Sequence, residues 1–388
     1  MSTKAIATTQ GSRPENEDYE LILENDKFAI VLMLDGHGGE DMKYAVGEKL
    51  KEKLEDFIDV TKEDEEFRCV STTLKEIYYN TLEYIDNLYL KGGTTMSLGV
   101  FQKHTRNFFT IQVGDSAVFL ADTESGEIIH CTKLFVEDDA IPEKGVELGV
   151  QKCITTTHDF TVEDEVNLYV NFCREHNFSI AINQRTDAAR FENRYLARVN
   201  CVNLPEPSRT IETRAYYKKY NADTLIDIQR TPEITVWHVS PDFQNLALCA
   251  VCDGFVSKKA LPNFDKVAQV LLKPGAYIQE AGLLDGTLIG NWLETKNFWD
   301  SDYIKPSHET WSLDPILYTN KLVHKIVPDQ YWKDVVQASM DKIEEIRSKF
   351  PEQHVRAGLN LQDCVDMAVQ IPISIASDDN VSCCVVLL

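Results

Sequence analysis

The sequence lacks any long apolar segment. No fully apolar run exceeds the seven residues of Phe28–Leu34, whereas a membrane-spanning helix needs about 20. The first residues, MSTKAIATTQGSRPEN, contain no apolar core of a signal peptide. We therefore expect a cytoplasmic chain with no membrane partner. In that reducing compartment the ten cysteines are expected to be free thiols.

Basic residues are also scarce. The chain has 39 Lys and Arg residues against 62 Asp and Glu residues, which gives a formal net charge of −23. Nucleic-acid affinity is built largely from clustered bases, so this balance argues against a nucleic-acid partner. An excess of acids is compatible with binding of divalent cations, although most of these acids must be solvated surface.

The cysteines offer no convincing zinc site. Cys249 and Cys252 form a CxxC pair, but a structural zinc site needs a second pair at suitable spacing. The nearest candidates, Cys383 and Cys384, are adjacent and would face opposite ways on a strand. Small buried core residues are the favoured interpretation, with metal binding as the alternative.

No repeat, low-complexity tract or Gly/Ser linker divides the chain, so we expect one domain over residues 1–388. The clearest helix is 64–89, whose apolar residues recur every three to five positions. Further helices are predicted over 41–58, from Thr161 (as N-cap) onward, and over much of 257–370, most strongly at 329–350. Strands are predicted at 4–10, 19–25, 28–34, 94–101, 107–113, 117–122, 233–239, 246–252 and 380–388. Strands and helices in blocks favour an α+β fold; residues 183–230 permit no assignment.

Acidic residues recur where apolar strands begin or end. They are Glu17 with Asp18, Asp35, Asp115, Asp253, and Asp378 with Asp379. Carboxylates that converge at strand ends repel one another unless cations lie between them, and Mg²⁺ and Mn²⁺ prefer such oxygen ligands. Alternatively, each acid is a separate turn former, because Asp before Gly or Asn suits turns. Composition does not show whether the clusters converge.

Six short motifs resemble those of a known family. In chain order they are GSRPENED, DGHGG, GGTT, VGDS, CDGF and SDDNVS, spread from residue 11 to residue 382. Their order and type are similar to those of the type-2C metal-dependent protein phosphatases, the PPM family. The resemblance implies two packed antiparallel β-sheets flanked by helices, with a metal centre at one end, and a phosphoprotein substrate.

Carried over position by position, the resemblance implies two Mn²⁺ or Mg²⁺ ions. Asp35 would bridge them and Gly36 would supply a backbone carbonyl. The full set of implied metal-binding residues is Glu17, Asp18, Asp35, Gly36, Asp253, Asp379 and, for a third and weaker ion, Asp115. A water activated between two metal ions attacks phosphorus in line with the leaving oxygen.

The resemblance also assigns catalytic roles to Arg13 and His37 beside Asp35. The Arg13 guanidinium would grip the phosphate oxygens. His37 would stand at the rim with a pKa near its ordinary value and protonate the leaving seryl or threonyl oxygen. Outside the motif, a turn histidine bonded to the backbone is the simpler interpretation.

Several positions depart from the family pattern. Ala117 follows GDS where an arginine is usual, and Ser257 replaces an acid expected four residues after Asp253, which argues against a third ion. The best counterpart of the family's SRALGD stretch is the poor match at Arg194–Cys201. The long interval before Asp379 suggests an inserted helical subdomain within 257–370. Its tryptophans, such as Trp292 and Trp299, could be core or a docking surface for a protein partner.

These observations leave competing functions. The first is an active serine/threonine protein phosphatase, because every residue of the implied two-metal centre is present. The second is a catalytically weak phosphatase-like scaffold or regulator, suggested by Ala117 and Ser257. The third is an unrelated acidic binding protein whose motifs match by accident. The residues leave the oligomeric state open, and the simplest expectation is a monomer.

Overall fold

The computed structural model describes residues 3–11, 13–39, 41–88, 90–141, 149–160, 162–187, 192–199, 202–204, 207–218, 224–256, 261, 264–274, 341, 360–374 and 379–388. Within these residues no helix combines the length and apolar character needed to cross a bilayer. The strands are β1 Lys4–Thr9, β2 Asp18–Glu24, β3 Phe28–His37, β4 Gly93–Thr94, β5 Met96–Gln102, β6 Asn107–Val113, β7 Ala117–Asp122, β8 His130–Asp138, β9 Val150–Lys152, β10 Ile180–Asp187, β11 Glu192–Val199, β12 Val202–Asn203, β13 Ile211–Glu212, β14 Glu233–His238, β15 Leu246–Val251 and β16 Val381–Leu387. The helices are α1 Asp41–Val60, α2 Phe67–Asp86, α3 Glu163–Glu175, α4 Arg214–Lys218, α5 Leu225–Gln229, α6 Phe264–Leu272, α7 Leu361–Ala368 and α8 Gln370–Ser374.

Two antiparallel sheets form the centre of the fold. One has nine strands in the order β13-β4-β3-β5-β6-β14-β8-β9, with β2 added beside β3, and the other has four in the order β1-β16-β15-β7. Apolar residues from both sheets, including Val31, Trp237 and Leu248, form the buried core between them. The predicted sandwich of antiparallel sheets is therefore confirmed.

Helices cover the outer face of each sheet. α1 and α2 pack on the nine-stranded sheet, while α6, α7 and α8 pack on the four-stranded sheet. This double cover explains the apolar run Phe28–Leu34, because alternate residues of a strand point to opposite faces. Ile30 and Leu32 face α1 and α2, whereas Ala29 and Val31 face the second sheet.

A smaller unit lies over residues 160–229, mostly in the part of the sequence that permitted no assignment. The strands β10, β11 and β12 form a three-stranded sheet. Residues of α3, β11, β12, α4 and α5 share a separate apolar cluster that includes Tyr169, Val199 and Tyr217. β13, which lies between β12 and α4 in the sequence, pairs with β4 and so attaches to the edge of the nine-stranded sheet.

The predicted strands and the helices at 41–58 and 64–89 agree with the structure to within a few residues. The helix predicted from Thr161 is present as α3, but its N-cap is Val162, which makes no side-chain capping bond. Thr161 lies outside the described residues. Most of the insertion predicted within 257–370 also lies outside the described residues, including Trp292, Trp299 and most of the 329–350 helix. The described parts of the insertion include α6 and α7.

Candidate functional site

The first two acidic motifs meet on neighbouring strands. β2 runs antiparallel to β3, and their register pairs Asp18 directly with Asp35. The backbone N–H of Gly36 donates a hydrogen bond of 2.9 Å to the carbonyl of Glu17. Residues 17, 18, 35 and 36 are thus side by side at one end of the nine-stranded sheet.

The backbone of Asp35 is held on both sides by Thr95. The Thr95 N–H donates to the Asp35 carbonyl at 2.8 Å, and the Asp35 N–H donates to Thr95 Oγ1 at 3.2 Å. Thr95 Oγ1 also lies 2.9 Å from the hydroxyl of Ser116, which follows Asp115 in the turn between β6 and β7. These bonds hold the strand exit rigidly and tie it to the GDS motif.

The four-stranded sheet supplies the remaining acids. Asp253 lies two residues after the end of β15, and Asp379 precedes β16, which is paired with β15. The two segments approach so closely that a Cβ on Gly254 would lie 1.9 Å from the carbonyl oxygen of Asn380. Only glycine permits this approach, which brings the CDGF and SDDNVS motifs together.

Asn380, to which the sequence assigned no role, joins the two sheets at the site. Its Oδ1 accepts a 2.9 Å hydrogen bond from the N–H of Glu17, and its side-chain amide donates to the carbonyl of Gln10 at 2.9 Å. Its own N–H donates to Asp379 Oδ1 at 2.9 Å. The position of Asn380 in the SDDN motif was the sequence signal that could have indicated a role in the site.

The carboxylates are close enough to change one another's ionisation. Burial, followed by the negative charges of Asp253, Asp18 and Asp115, raises the pKa of Asp35 well above its ordinary value. Burial is also the main reason that the pKa of Asp18 rises to about 7. Asp253 and Asp115 therefore lie near enough to Asp35 to affect its ionisation, which is the proximity that the cation hypothesis requires.

The donor set fits a divalent cation. Both carboxyl oxygens of Asp18 are buried and form no well-aligned hydrogen bond with the described residues. Carboxyl oxygens of Asp18 and Asp35 and the sulfur of Cys252 lie within 4.8 Å of one another. Buried carboxylates whose few donors are poorly aligned are costly unless a cation neutralises them, and hard oxygen ligands suit Mg²⁺ or Mn²⁺.

Cys252 belongs to the core below these carboxylates. Its sulfur accepts a hydrogen bond from the N–H of Ser382 at 3.1 Å, and its side chain lies between the two sheets. Cys249 faces the opposite core, under α6 and α7. Cys249 and Cys252 thus point to opposite faces of the four-stranded sheet. In the part of the chain that the structure describes, both are buried core residues, which was the favoured interpretation of the CxxC pair.

Glu17 and Arg13 lie at the margin of the acidic cluster. Glu17 Oε1 accepts a 2.8 Å hydrogen bond from the backbone N–H of Gly39, which orients the glycine loop after His37. The guanidinium of Arg13 forms an ion pair of 2.8 Å with Asp379, and its side chain is 34% exposed. Arg13 is therefore beside the carboxylates yet accessible to solvent.

His37 differs from the expectation of an unperturbed histidine. Its Nε2 lies 2.7 Å from the hydroxyl of Thr210, and its ring lies against Gly93, where a Cβ would come within 2.6 Å of Nε2. Burial lowers the pKa of His37 to about 4. The ordinary pKa predicted for this side chain is wrong because the ring lies in a packed position between β4 and the segment before β13.

The segment Ser208–Thr210 is the part of the site that sequence reasoning missed. Arg209 is fully buried and binds Asp138 and Glu165, and Ser208 donates to Glu165 at 2.6 Å. Ser208 and Arg209 match the first two residues of SRALGD, and this match was the sequence signal that could have identified the segment. The proposed counterpart at Arg194–Cys201 instead falls largely in β11 of the smaller unit.

Ser257 and Asp378 lie outside the described residues. Ala117, which stands where an arginine is usual in the family, begins β7 and is buried in the core under α6 and α7. No charged side chain therefore occupies that position after the GDS motif.

Comparisons with known proteins agree with this geometry. Residues 6–166 match the family model described as Protein phosphatase 2C. A search of curated protein sequences found no significant match. Among solved structures, a C. elegans sex determining protein aligns at a TM-score of 0.50 and 13% identity, over 99% of this chain and 64% of that chain. A phosphatase from a pathogenic strain of Toxoplasma gondii aligns at a TM-score of 0.50 and 13% identity, over 99% of this chain and 91% of that chain.

At such identities the structural likeness shows a shared fold. The family match adds evidence from sequence, because it covers the segment that contains Arg13, Glu17, Asp18, Asp35 and His37, although it spans less than half of the chain. The sequence of residues 6–166 is therefore similar to that of type-2C protein phosphatases.

Proposed function

We propose that the protein hydrolyses phosphoserine and phosphothreonine in protein substrates with the help of two Mn²⁺ or Mg²⁺ ions. The observation that carries this proposal is the buried carboxyl group of Asp18, whose oxygens lack well-aligned donors and face Asp35. The ions would be held by Glu17, Asp18, Asp35, Gly36, Asp253 and Asp379. A third ion near Asp115 is not part of the proposal.

Divalent ions, when bound, activate a water molecule and neutralise charge that develops on the phosphoryl oxygens. The residues of the chain have separate tasks. Arg13, partly exposed beside Asp379, can donate to the phosphate oxygens through its guanidinium fork. The Gly38–Gly39 loop, oriented by Glu17, carries no side chains that would obstruct a phosphopeptide.

His37 would hold the proton for the leaving group. As the bond between phosphorus and the seryl or threonyl oxygen breaks, that oxygen takes a proton from the imidazole, while the attacking water supplies the new oxygen on phosphorus. The products are inorganic phosphate and the free alcohol of the side chain. Because burial lowers the pKa of His37, the charged imidazolium would have to form within the substrate complex.

The wider organisation of the chain is part of the same proposal. We propose one catalytic domain over residues 1–388, with the helical insertion within 257–370 as the place where a protein partner could dock. A cytoplasmic location and a monomeric state complete the proposal.

The test is phosphate release from a phosphothreonine peptide near neutral pH, with Mn²⁺, with Mg²⁺ and with excess chelator. Activity should require metal, and Asp35→Asn should lower it by at least about 100-fold, as expected for loss of transition-state charge stabilisation. The exposed Asp56 of α1 provides a matched control, and Asp56→Asn should retain activity. Calorimetric Mn²⁺ binding without turnover would instead support the scaffold function, and absence of binding would refute the assigned metal centre.

A further inference from the structure

The hydrogen bond between His37 and Thr210 joins one ring nitrogen, Nε2, to a buried hydroxyl. The Thr210 hydroxyl donates its one proton to the carbonyl of Thr94 at 3.2 Å. With that proton engaged, the hydroxyl accepts from His37 Nε2, 2.7 Å away, an arrangement that favours protonation of Nε2. Among the described residues, Nδ1 of His37 makes no hydrogen bond and is left for proton exchange with a ligand.

Neighbouring strands hold the ring in this orientation. His37, Gly93 and Glu212 lie in one row across β3, β4 and β13. A Cβ on Gly93 would come within 2.5 Å of His37 Cε1, so the ring packs directly on the backbone of β4. Gly93 confines the His37 imidazole on one side. The bond between Nε2 and Thr210 then fixes the rotation of the ring that Gly93 leaves free.

Thr210 is itself unusually well fixed. It is completely buried, and its backbone N–H donates to the carbonyl of Gln229 at 2.9 Å. The preceding residue, Arg209, is anchored by two buried carboxylates on β8 and α3. A hydroxyl held this rigidly can impose its geometry on its partner.

We propose that Thr210 is a positioning residue that holds His37 with Nε2 protonated and directs Nδ1 to the leaving oxygen of the substrate. This inference rests on the proposed role of His37 as the proton donor. Thr210 touches no substrate, and it acts only through the imidazole. The Thr210 hydroxyl also provides the acceptor that the imidazole needs when its second nitrogen is protonated.

The first experiment compares two substrates in the presence of Mn²⁺. The alkoxide that leaves from a phosphothreonine peptide must be protonated. The leaving group of p-nitrophenyl phosphate needs little protonation. Thr210→Val, which keeps the shape and removes the hydroxyl, should lower kcat on the peptide by at least about 10-fold with little change in KM, within the range of general-acid effects. On p-nitrophenyl phosphate the fall should stay below about 2-fold, and Thr210→Ser should restore most of the peptide activity.

Thr81→Val is a matched control, because Thr81 is also buried but its hydroxyl donates to Ile77 within α2. It should affect neither substrate. Equal losses of Thr210→Val on both substrates, or no loss on either, would overturn the positioning role.

The second experiment separates this inference from the proposed function. Histidine ¹⁵N NMR of the metal-free protein, with His37→Gln used to assign the signal among nine histidines, reports the tautomer without any turnover. We expect an Nε2–H signal protected from solvent in the wild type and in Thr210→Ser, and exposed to exchange in Thr210→Val. An Nδ1–H tautomer in the wild type would refute the positioning. If the Nε2–H signal is present but His37→Gln hydrolyses the peptide normally, the role of His37 in catalysis fails instead.

Discussion

Arg209 and Asp138 form a two-point ion pair in the interior of the protein. Two guanidinium nitrogens of Arg209 each lie 3.0 Å from a carboxyl oxygen of Asp138. The exposed fractions of the two side chains are 0% and 1%, and Glu165 approaches the same guanidinium from α3. One buried cation therefore connects β8, α3 and the segment that reaches His37.

Replacement of Arg209 by methionine should strongly destabilise the fold. Two buried carboxylates would lose their only cation among the described residues, which typically costs about 3–5 kcal/mol in free energy of unfolding. The measurement is urea-induced unfolding followed by circular dichroism. Arg214→Met, at a side chain that is 41% exposed in its pairs with Asp86 and Asp227, should cost less than about 1 kcal/mol. Similar losses in the two variants would contradict the structural importance of the buried pair.

Gly254→Ala should reduce both stability and activity. The added Cβ would lie 1.9 Å from the carbonyl of Asn380, so the backbone segments that carry Asp253 and Asp379 must separate. We expect a loss of about 2 kcal/mol or more in unfolding free energy, at the upper end of overpacking effects, together with weaker Mn²⁺ binding by calorimetry. Gly149→Ala, where a Cβ meets nothing within 4 Å, is the control and should match the wild type. Unchanged Mn²⁺ affinity in Gly254→Ala would argue against this close approach.

Stability should fall as the pH rises through the range in which Glu212 ionises. Burial raises the pKa of Glu212 from 4.5 to about 7, although a hydrogen bond donated by Tyr217 opposes the shift. The folded state thus binds more protons than the unfolded state between these values, so its advantage is complete at low pH and is lost as the pH approaches and passes 7. The effect is at most about 3 kcal/mol.

The check is denaturant unfolding of metal-free protein at pH 5 and pH 8, with wild type and Glu212→Gln. The decrease in unfolding free energy between pH 5 and pH 8 should be smaller in Glu212→Gln than in the wild type. An equal decrease in both proteins would mean that Glu212 is already ionised in the folded state at pH 5.

Asp35→Asn should stabilise the metal-free protein even though it removes activity. The substitution relieves repulsion from Asp253, Asp18 and Asp115, which raise the pKa of Asp35 after burial. A gain of about 1 kcal/mol corresponds to a melting temperature higher by about 1 °C in a chain of 388 residues, measured by thermal denaturation in chelator. Addition of Mn²⁺ should reverse the order, because the wild type gains the free energy of ion binding. A lower melting temperature in chelator would show that the charges do not repel.

Local pattern was sufficient to predict the elements of the two central sheets. Phe28–Leu34 reads as a strand because its residues face two cores, and the apolar stripe of α2 identifies that helix. The smaller unit was not predicted, since its strands β10 and β11 mix charged and apolar residues without regular alternation. Its position depends on contacts such as that of Arg209 with Asp138, which are distant in sequence.

The site was predictable as a set of residues but not as an arrangement. Each acid follows from a motif, whereas the pairing of Asp18 with Asp35 depends on the register of β2 and β3. Asn380 and Thr210 were missed because their partners, Glu17 and His37, come from other motifs. The lowered pKa of His37 follows from burial, which its glycine-rich surroundings in the sequence do not suggest.

The pairing of β1 with β16 affects when the protein can first function. Lys4 lies opposite Val386 and Thr9 opposite Val381, so the strand that follows Asp379 inserts between β1 and β15. A chain still attached to the ribosome contains Asp18 and Asp35 early but has neither Asp379 nor Asn380 until synthesis of residues 379–387. Contacts of such long sequence separation form late in folding. The proposed metal centre would therefore be complete only after translation of β16.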